Sequence, residues 1–370
     1  MAAAGEPLGV AVVGCGTISR EYLTNLTSFP DLRVLFCADL DLGRAKAQAD
    51  RYGVPAAGTT AEALDYPGVE LVVNLTIPAA HAEVATAALR AGKHVWNEKP
   101  LAPDVPSGQA LVALAERSGL RVGCAPDTVL GAGLQSARRL ISAGTIGTPL
   151  SALMLLQSPG PESWHPSPEF LFATGAGPLF DLGPYYLSTL ATLFGPASQV
   201  AAVSRQARST RVIGSGPRAG AEFGVQVHTH VAALAEYEAG QVASMLFSWD
   251  SPLSRHGFVE ITGTEATLAV PDPNTFGGEL RLRPAGQDDW TVLPTEGATA
   301  GRGLGVLDMA RTLRVGQPHR ASAEMALHVL EMMTEIDSSA ACGGFRPVPS
   351  GFTVPEPLDA GWDPHARSAG

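Results

Sequence analysis

The alternation of strand and helix patterns in the first third of the chain constrains its fold more than any other feature. Short apolar runs recur there, and between them apolar residues fall three or four positions apart, as from Ile18 to Phe29 and from Ala80 to Ala91. A strand followed by a helix, repeated, is typical of parallel strands joined by crossover helices. We therefore expect a doubly wound α/β sheet, with strands at Val10–Val13, Arg33–Ala38, Leu71–Leu75, His94–Trp96 and Arg121–Cys124.

The pattern changes after about residue 126. Helical spacing at Leu134–Ala143 and Phe180–Phe194 flanks a loop rich in proline and glycine, and polar and apolar residues alternate from Gly224 through Val231 and beyond. Such alternation predicts a mainly antiparallel sheet in an α+β domain, with a closing helix at Ala323–Ala341. We place the domains at residues 1–125 and 126–345, followed by an irregular tail at 346–370.

A glycine-rich turn lies between the first strand and the first helix. Gly14 suits a tight turn, and Gly16 removes the side chain where a backbone must approach a pyrophosphate. Ser19 stands at the third position of the pattern, where glycine or alanine is usual. The helix N-terminus adds a positive dipole end, so we expect Gly14, Gly16, Thr17 and Ile18 to bind a dinucleotide.

Asp39 strengthens this prediction because it closes the second strand twenty residues after Ser19. An acidic residue there accepts hydrogen bonds from ribose hydroxyls and repels a 2′-phosphate. Leu40 follows it, so no adjacent arginine is available to hold such a phosphate. NAD is therefore the expected cofactor, with NADP less favoured.

Two further segments follow strands whose carboxyl ends face the cofactor in such a sheet. The first contains Thr76, Pro78 and His81, and the second is Glu98–Lys99–Pro100. A lysine beside a dinucleotide can lower the pKa of a substrate hydroxyl or donate to a carbonyl oxygen. We expect Lys99 to be catalytic and Thr76, Pro78, His81 and Glu98 to lie on the cofactor side.

These motifs, with Gly177-Pro-Leu-Phe-Asp181-x-Gly183-x-Tyr185, resemble the ordered signature of the Gfo/Idh/MocA oxidoreductases. The resemblance covers roughly residues 8 to 340. It implies a nicotinamide-binding Rossmann domain, a C-terminal domain whose large open sheet serves oligomerisation, and hydride transfer at a sugar or cyclitol carbon. Carried over by motif, Lys99 is the catalytic lysine and Asp181 the aspartate of a second-domain helix.

The family most often has histidine four residues after that aspartate, where this chain has Tyr185. Two candidates for the general base therefore remain. Tyr185 shares a helix face with Asp181, and a phenol needs a nearby cation to act as a base at neutral pH. His165 is the other candidate because an ordinary imidazole is better matched to neutral pH than a phenol is, and Trp164 beside it can stack on a pyranose. Asp127, after the fifth strand, is a further expected substrate contact.

Composition excludes several other classes. The chain has 25 basic and 36 acidic residues, a formal net charge of −11, and no basic cluster, which argues against nucleic-acid and anionic-membrane partners. Its four cysteines are widely separated, so we expect neither a disulfide nor a metal site. The first residues, Met1 to Pro7, lack the basic and apolar segments of a secretory signal, so a cytoplasmic location is expected.

Together these features predict an NAD(H)-dependent oxidoreductase acting on a secondary hydroxyl or ketone of a sugar, glycoside or cyclitol, working as a homodimer or homotetramer. Two alternatives stay open. One is a redox-neutral enzyme that cleaves glycosides through a keto-sugar intermediate with tightly held NAD. The other is a catalytically inactive regulator that senses a dinucleotide or a sugar.

Overall fold

The computed structural model describes residues 6–368, so the first five and the last two residues of the chain lie outside the described range. The expectation that Met1 to Pro7 form no secretory signal concerns mostly residues outside this range. The chain divides into two compact units. Unit 1 comprises Met1–Gln135, Glu296–Leu330 and Thr353–Gly370, and unit 2 comprises Ser136–Thr295 and Glu331–Phe352. This discontinuous division replaces the contiguous boundaries at residues 125 and 345, because two later segments return to unit 1.

Unit 1 contains a six-stranded, wholly parallel sheet in the order β3-β2-β1-β4-β5-β6. Its central strands are nearly continuous apolar runs because helices cover both faces of such a sheet. The third strand was missed from the sequence, since alanine and glycine form no apolar run. The strands are β1 (Leu8–Val13), β2 (Leu32–Ala38), β3 (Ala56–Gly58), β4 (Leu71–Asn74), β5 (His94–Asn97) and β6 (Val122–Cys124).

The helices of this sheet begin and end where capping chemistry places them. Asp41 accepts from Arg44 N at the start of the second helix, and Asp104 does the same for Ser107 N at the start of the fifth. Gly53 ends the second helix in a left-handed conformation. The helices are α1 (Ser19–Leu26), α2 (Leu42–Tyr52), α3 (Thr60–Asp65), α4 (His81–Arg90) and α5 (Val105–Ser118).

Unit 2 is entered through α6 (Ala132–Ser142) and contains a nine-stranded sheet in the order β16-β15-β14-β13-β7-β12-β11-β8-β17. The β7–β12 pair is parallel and the other pairs are antiparallel. The strands are β7 (Pro149–Gln157), β8 (Ala197–Arg205), β9 (Thr210–Val212), β10 (Glu222–Gly224), β11 (His230–Tyr237), β12 (Val242–Ser248), β13 (Arg255–Gly263), β14 (Ala266–Val270), β15 (Leu280–Pro284), β16 (Thr291–Leu293) and β17 (Arg346–Pro347).

The expected strand from Val225 to Val231 was wrong in its first part. β9 and β10 form a separate two-stranded hairpin, residues 225–229 are irregular, and the long strand begins at His230. The backbone amides of this segment bind other partners than a neighbouring strand of the large sheet. Val225 N donates to Ser209 O, and Gln226 N donates to Phe172 O.

Helix α7 (Pro178–Phe194) packs on β11 and β12 and covers part of one face of the large sheet. The opposite face keeps exposed apolar side chains, among them Val203, Leu234 and Leu153, which are 63%, 49% and 41% exposed. An antiparallel sheet usually presents polar residues on an uncovered face, so this apolar surface is unusual.

The chain then supplies α8 (Leu304–Val315) to unit 1, and α9 (Ala323–Cys342) begins there and ends in unit 2. The last described residues are irregular yet anchored. Arg311 donates to Asp31 and to the carbonyl oxygens of Asp363 and Ala366, and Ser368 also donates to Asp31. Within residues 6–368, no helix is both long enough and apolar enough to cross a bilayer.

Candidate active site

The turn between β1 and α1 is built around two glycines. Gly14 has a φ of +96°, and a Cβ there would lie 2.6 Å from the backbone of the loop after β4, so a larger residue would collide. Gly16 has no atom within 4 Å of the position its Cβ would take. Ser19 Oγ donates to Gly16 O (2.6 Å), while Thr17 is exposed and Ile18 half-buried. The open backbone at the start of α1 suits a pyrophosphate.

Asp39 follows β2 directly, and its carboxylate is turned toward this glycine turn. Oδ2 accepts a hydrogen bond from Cys15 N (2.7 Å), and Oδ1 accepts one from Asp41 N (2.8 Å). The side chain is 9% exposed. A carboxylate oxygen accepts more than one hydrogen bond, so acceptors remain for ribose hydroxyls.

A cavity of about 470 Å³ beside the glycine turn is bordered by two arginines. Arg44 Nη1 lies 3.7 Å from Asp39 Oδ1, and its Nη2 lies 3.6 Å from Asp41 Oδ2. The residue directly after Asp39, Leu40, carries no charge, but the first turn of α2 brings Arg44 back to the Asp39 carboxylate. The cavity is lined by Cys15, Gly16, Thr17, Arg20, Arg44, Ala47 and Gln48.

The loop after β4 is fixed by two buried side chains. Asn74 Oδ1 accepts from Thr76 Oγ1 (2.7 Å). His81 is fully buried, with Nδ1 2.7 Å from Pro100 O and Nε2 3.1 Å from Thr76 O. Burial lowers the pKa of His81 despite these contacts, which favours the neutral ring. His81 thus links two loops from inside the unit, while Pro78 lies exposed on the surface.

The Glu98–Lys99–Pro100 segment follows β5 at the same edge of the sheet as the glycine turn and Asp39. All three of its residues are half-buried. Glu98 Oε1 accepts from Tyr22 Oη (2.8 Å), and Oε2 accepts from Lys99 N (2.9 Å). The carboxyl ends of parallel strands therefore bring the predicted cofactor residues and the predicted catalytic lysine to one edge of unit 1.

Asp127 has a different environment from the one expected of a substrate contact. It is fully buried, and Oδ2 accepts from Gly303 N (2.7 Å) and Gly305 N (3.2 Å) at the start of α8. Arg302 Nη1 lies 3.6 Å from Oδ1. Burial raises the pKa of Asp127. This placement indicates a helix-capping role in place of substrate contact, and its partners are too distant in sequence to be foreseen.

In unit 2, Asp181 and Tyr185 lie one turn apart on α7, as their spacing predicts. Gly177, with a φ of +94°, precedes Pro178 at the start of this helix. Asp181 is half-buried and Tyr185 is 7% exposed. The next residue, Tyr186, accepts a hydrogen bond from Gly257 N (2.8 Å) and so anchors the helix to the sheet.

Trp164 and His165 lie in the irregular segment between β7 and α7. Trp164 is 67% exposed, and the His165 ring contacts those of Trp164 and Phe170 at 5.5 and 5.4 Å between centroids. Phe170, which is 60% exposed, was not singled out from the sequence. His165 Nδ1 accepts from Ser167 N (3.0 Å), so a neutral ring carries its proton on Nε2.

A buried ion cluster that the sequence analysis missed holds this segment. Arg211 is 3% exposed and donates from Nη1 to Glu162 and from Nη2 to Asp250. Asp250 also accepts from Thr229 Oγ1 (2.5 Å), and the guanidinium lies 5.1 Å from the centre of the Phe172 ring. In the sequence Arg211 stands between polar Ser209 and Thr210 and apolar Val212 and Ile213, and this neighbourhood does not mark it as buried.

Two family models match this chain. One, described as the oxidoreductase family with an NAD-binding Rossmann fold, matches residues 8–125, and the other, the GFO/IDH/MocA C-terminal domain, matches residues 134–269. The chain belongs to the Gfo/Idh/MocA oxidoreductase family. The resemblance found in the sequence and the predicted fold, a Rossmann sheet followed by a mostly antiparallel sheet, are confirmed, and unit 1 carries the NAD-binding Rossmann domain of Gfo/Idh/MocA proteins.

Curated relatives of this Gfo/Idh/MocA chain include sugar and diol oxidoreductases. It is 28% identical over 264 residues to 1,5-anhydro-D-fructose reductase of Ensifer adhaerens, covering 70% of this chain and 74% of that protein. It is 27% identical over 278 residues to trans-1,2-dihydrobenzene-1,2-diol dehydrogenase of Sus scrofa, covering 74% and 76%. Inositol 2-dehydrogenase 3 of Saccharopolyspora erythraea is 31% identical over 159 residues, covering 42% and 47%.

Solved structures show the same fold. Levoglucosan dehydrogenase in complex with NADH and L-sorbose matches with a TM-score of 0.79 at 22% identity, over 93% of this chain and 100% of that chain. An NAD-binding oxidoreductase from Klebsiella pneumoniae matches with a TM-score of 0.79 at 23% identity, over 92% and 99%.

Proposed function

We propose that the protein is an NAD(H)-dependent oxidoreductase that acts on a secondary hydroxyl, or the corresponding ketone, of a sugar, glycoside or cyclitol. The observation that carries this proposal is the sheet edge of unit 1, where the open glycine turn, the Asp39 carboxylate and Lys99 follow β1, β2 and β5. The family relatives named above as a reductase and as dehydrogenases support the reaction class. When bound, the nicotinamide supplies the hydride acceptor or donor.

The residues of unit 1 fit this cofactor. Gly16 leaves the turn open, the α1 N-terminus favours an anion, and Asp39 offers acceptors to ribose hydroxyls. We propose that NAD(H) is preferred because the Asp39 carboxylate repels a 2′-phosphate, while Arg44 offsets part of that repulsion.

Lys99 is proposed to assist proton transfer at the reacting oxygen. Its ammonium donates a hydrogen bond to the substrate oxygen and stabilises the negative charge that develops there as the hydroxyl proton leaves. The backbone of Lys99 is held by Glu98 Oε2 (2.9 Å), so the side chain extends from a fixed point.

Asp181 is proposed to orient the substrate, and Tyr185, ionised to the phenolate, is proposed to take the proton of the substrate hydroxyl and so return to the neutral phenol. Both project from one face of α7. The alternative base, His165, has Nδ1 occupied by Ser167 N, so its remaining nitrogen carries a proton and acts as a donor. We therefore assign His165, with Trp164, to binding the sugar.

This assignment is tested by Tyr185→Phe and His165→Asn. Tyr185→Phe is expected to lose about 10²–10⁴-fold in kcat, whereas His165→Asn mainly raises the KM of the sugar. Tyr186→Phe is the matched control, because it removes a neighbouring hydroxyl that holds Gly257 N, and it should keep kcat. An active Tyr185→Phe together with an inactive His165→Asn would make His165 the base.

The reaction class is tested with the wild-type protein, NAD and a panel of sugars, glycosides and cyclitols, following NADH formation. We expect oxidation of at least one member of the panel. Product analysis without added NAD separates this reaction from redox-neutral cleavage, since cleavage products in that sample would contradict a net oxidation.

We also propose that the protein is a homo-oligomer that associates through the uncovered sheet face of unit 2. Neighbouring positions across the strands form one apolar row on that face. Its members in order are Val203, Ala232, Leu246, Leu155 and Phe258. A dimer or tetramer that covers this row removes it from water. The cytoplasmic location expected from the sequence stays a prediction.

A further inference from the structure

We propose that Tyr22 is a positioning residue for Lys99, acting through the carboxylate of Glu98. The proposal rests on the catalytic role assigned to Lys99 above. Three hydrogen bonds carry it: Trp96 Nε1 to Tyr22 Oη (3.2 Å), Tyr22 Oη to Glu98 Oε1 (2.8 Å), and Lys99 N to Glu98 Oε2 (2.9 Å).

The chemistry of the groups fixes the direction of this chain. An indole N–H donates and does not accept, and an ionised carboxylate accepts and does not donate. Tyr22 must therefore accept from Trp96 and donate to Glu98, which uses both functions of its hydroxyl. The other carboxylate oxygen is then available for the backbone of Lys99, so the Glu98 side chain connects a helix to the catalytic loop.

Burial makes this connection stiff. Tyr22 and Trp96 are both fully buried. Burial and the charge of Glu98 raise the pKa of Tyr22 well above its usual value, so the phenol remains a donor at any working pH. Removing the hydroxyl would leave the indole N–H and one oxygen of Glu98 without these partners, and such losses are costly inside a protein.

The position of Tyr22 connects these three hydrogen bonds to the cofactor turn. Tyr22 lies on α1, three residues after the helix begins at Ser19 and six after Gly16 of the dinucleotide turn. The helix whose N-terminus is proposed to bind the pyrophosphate and the backbone that carries Lys99 thus share one hydrogen-bonded path. We infer that Tyr22 fixes where Lys99 stands relative to the cofactor turn.

The test compares Tyr22→Phe with Tyr52→Phe. Tyr52 is a matched control because its hydroxyl also binds α1, donating to Arg20 O (3.1 Å), but has no connection to Glu98. The first readout is the rate at which an amine-reactive reagent labels Lys99 in the presence of NADH. The chain has three lysines, so Lys46 and Lys93 serve as internal references in the same peptide map.

We expect Tyr22→Phe to change the labelling of Lys99 several-fold relative to both reference lysines, and to lower kcat about 10–100-fold with a smaller change in KM. Tyr52→Phe should match the wild type in both. A purely structural role would lower the melting temperature alone. Wild-type labelling and wild-type kcat in Tyr22→Phe would overturn the proposal.

Should Tyr22→Phe fail to fold, Glu98→Gln breaks the same path at the Lys99 end, and the same two changes are expected. If Tyr22→Phe does fold, the double variant Tyr22→Phe/Glu98→Gln should lose no more kcat than Glu98→Gln alone, because both substitutions break the same hydrogen-bonded path. Additive losses would contradict the proposal. If the wild type oxidises no sugar, the proposed function fails, while the labelling of Lys99 still decides the role of Tyr22.

Discussion

Replacing Asp39 by asparagine should shift the cofactor preference toward NADPH. The carboxylate lies beside the glycine turn with Oδ2 bound to Cys15 N (2.7 Å) and Oδ1 bound to Asp41 N (2.8 Å). Asparagine has nearly the same shape but no charge, so the substitution tests the electrostatic part of the discrimination. Any disturbance of the turn itself should affect NADH and NADPH alike, which makes the ratio of their dissociation constants the informative quantity.

The magnitude follows from Coulomb's law. A 2′-phosphate on a ribose held by Asp39 would lie about 4 Å from the carboxylate, where two unit charges interact by about 4 kcal/mol at an effective dielectric constant of about 20. Arg44, with Nη1 3.7 Å from Asp39 Oδ1 and a side chain 52% exposed, offsets part of this repulsion. A net penalty of about 1.5–3 kcal/mol corresponds to roughly 10–100-fold discrimination.

The assay is a fluorescence titration of NADH and NADPH into the wild type, Asp39→Asn and Arg44→Gln. The wild type should bind NADH more tightly, Asp39→Asn should reduce the preference by about 10–100-fold, and Arg44→Gln should increase it. A wild type that prefers NADPH, or an Asp39→Asn variant with an unchanged ratio, would refute the reasoning.

Two further predictions concern assembly and pH. Replacing Leu234 by aspartate should dissociate the oligomer, because it places a charge on the apolar sheet face. The control is Leu253→Asp, which changes an equally exposed leucine (49%) on a loop and should keep the wild-type sedimentation coefficient. An unchanged sedimentation coefficient for Leu234→Asp would contradict association through this face. The free energy of unfolding should fall as the pH drops below about 6.5. Burial lowers the pKa of His81 and of His319, so in this range the unfolded chain binds more protons than the folded chain does. Each imidazole should then lower the free energy of unfolding by about 1.4 kcal/mol per pH unit. Urea unfolding at about pH 7 and pH 5.5 measures this slope, and an unchanged slope in His319→Asn would contradict it.

The parts of the fold that local pattern determines were predictable from the sequence. The buried parallel strands of unit 1 are apolar runs, and α7 begins at the Gly177–Pro178 pair. By contrast, β3 (Ala56–Gly58) has no apolar run to mark it. Helix α8 and the tail belong to unit 1 through contacts between residues far apart in the sequence, such as that of Arg311 with Asp31. The periodicity of apolar residues does not predict such contacts.

The candidate site divides in the same way. The placement of Asp39 beside the Gly14–Gly16 turn was predictable, because the spacing of these residues is local to one strand, turn, helix and strand. The approach of Arg44 to Asp39 was not predicted from the sequence, because it depends on where the first turn of α2 places the arginine side chain. The partners of Asp127 lie 176 and 178 residues away, so its capping role could be learned only from the structure.

The central claim is that Lys99 assists proton transfer at the reacting oxygen of a sugar while the bound dinucleotide exchanges the hydride. The most direct measurement compares Lys99→Ala with Lys46→Ala, which removes an exposed lysine paired with Asp50, for NADH affinity and for turnover of the best sugar. The account predicts that Lys99→Ala binds NADH nearly as the wild type does and loses at least about 10²-fold in kcat, while Lys46→Ala is unchanged. Full turnover by Lys99→Ala would contradict it.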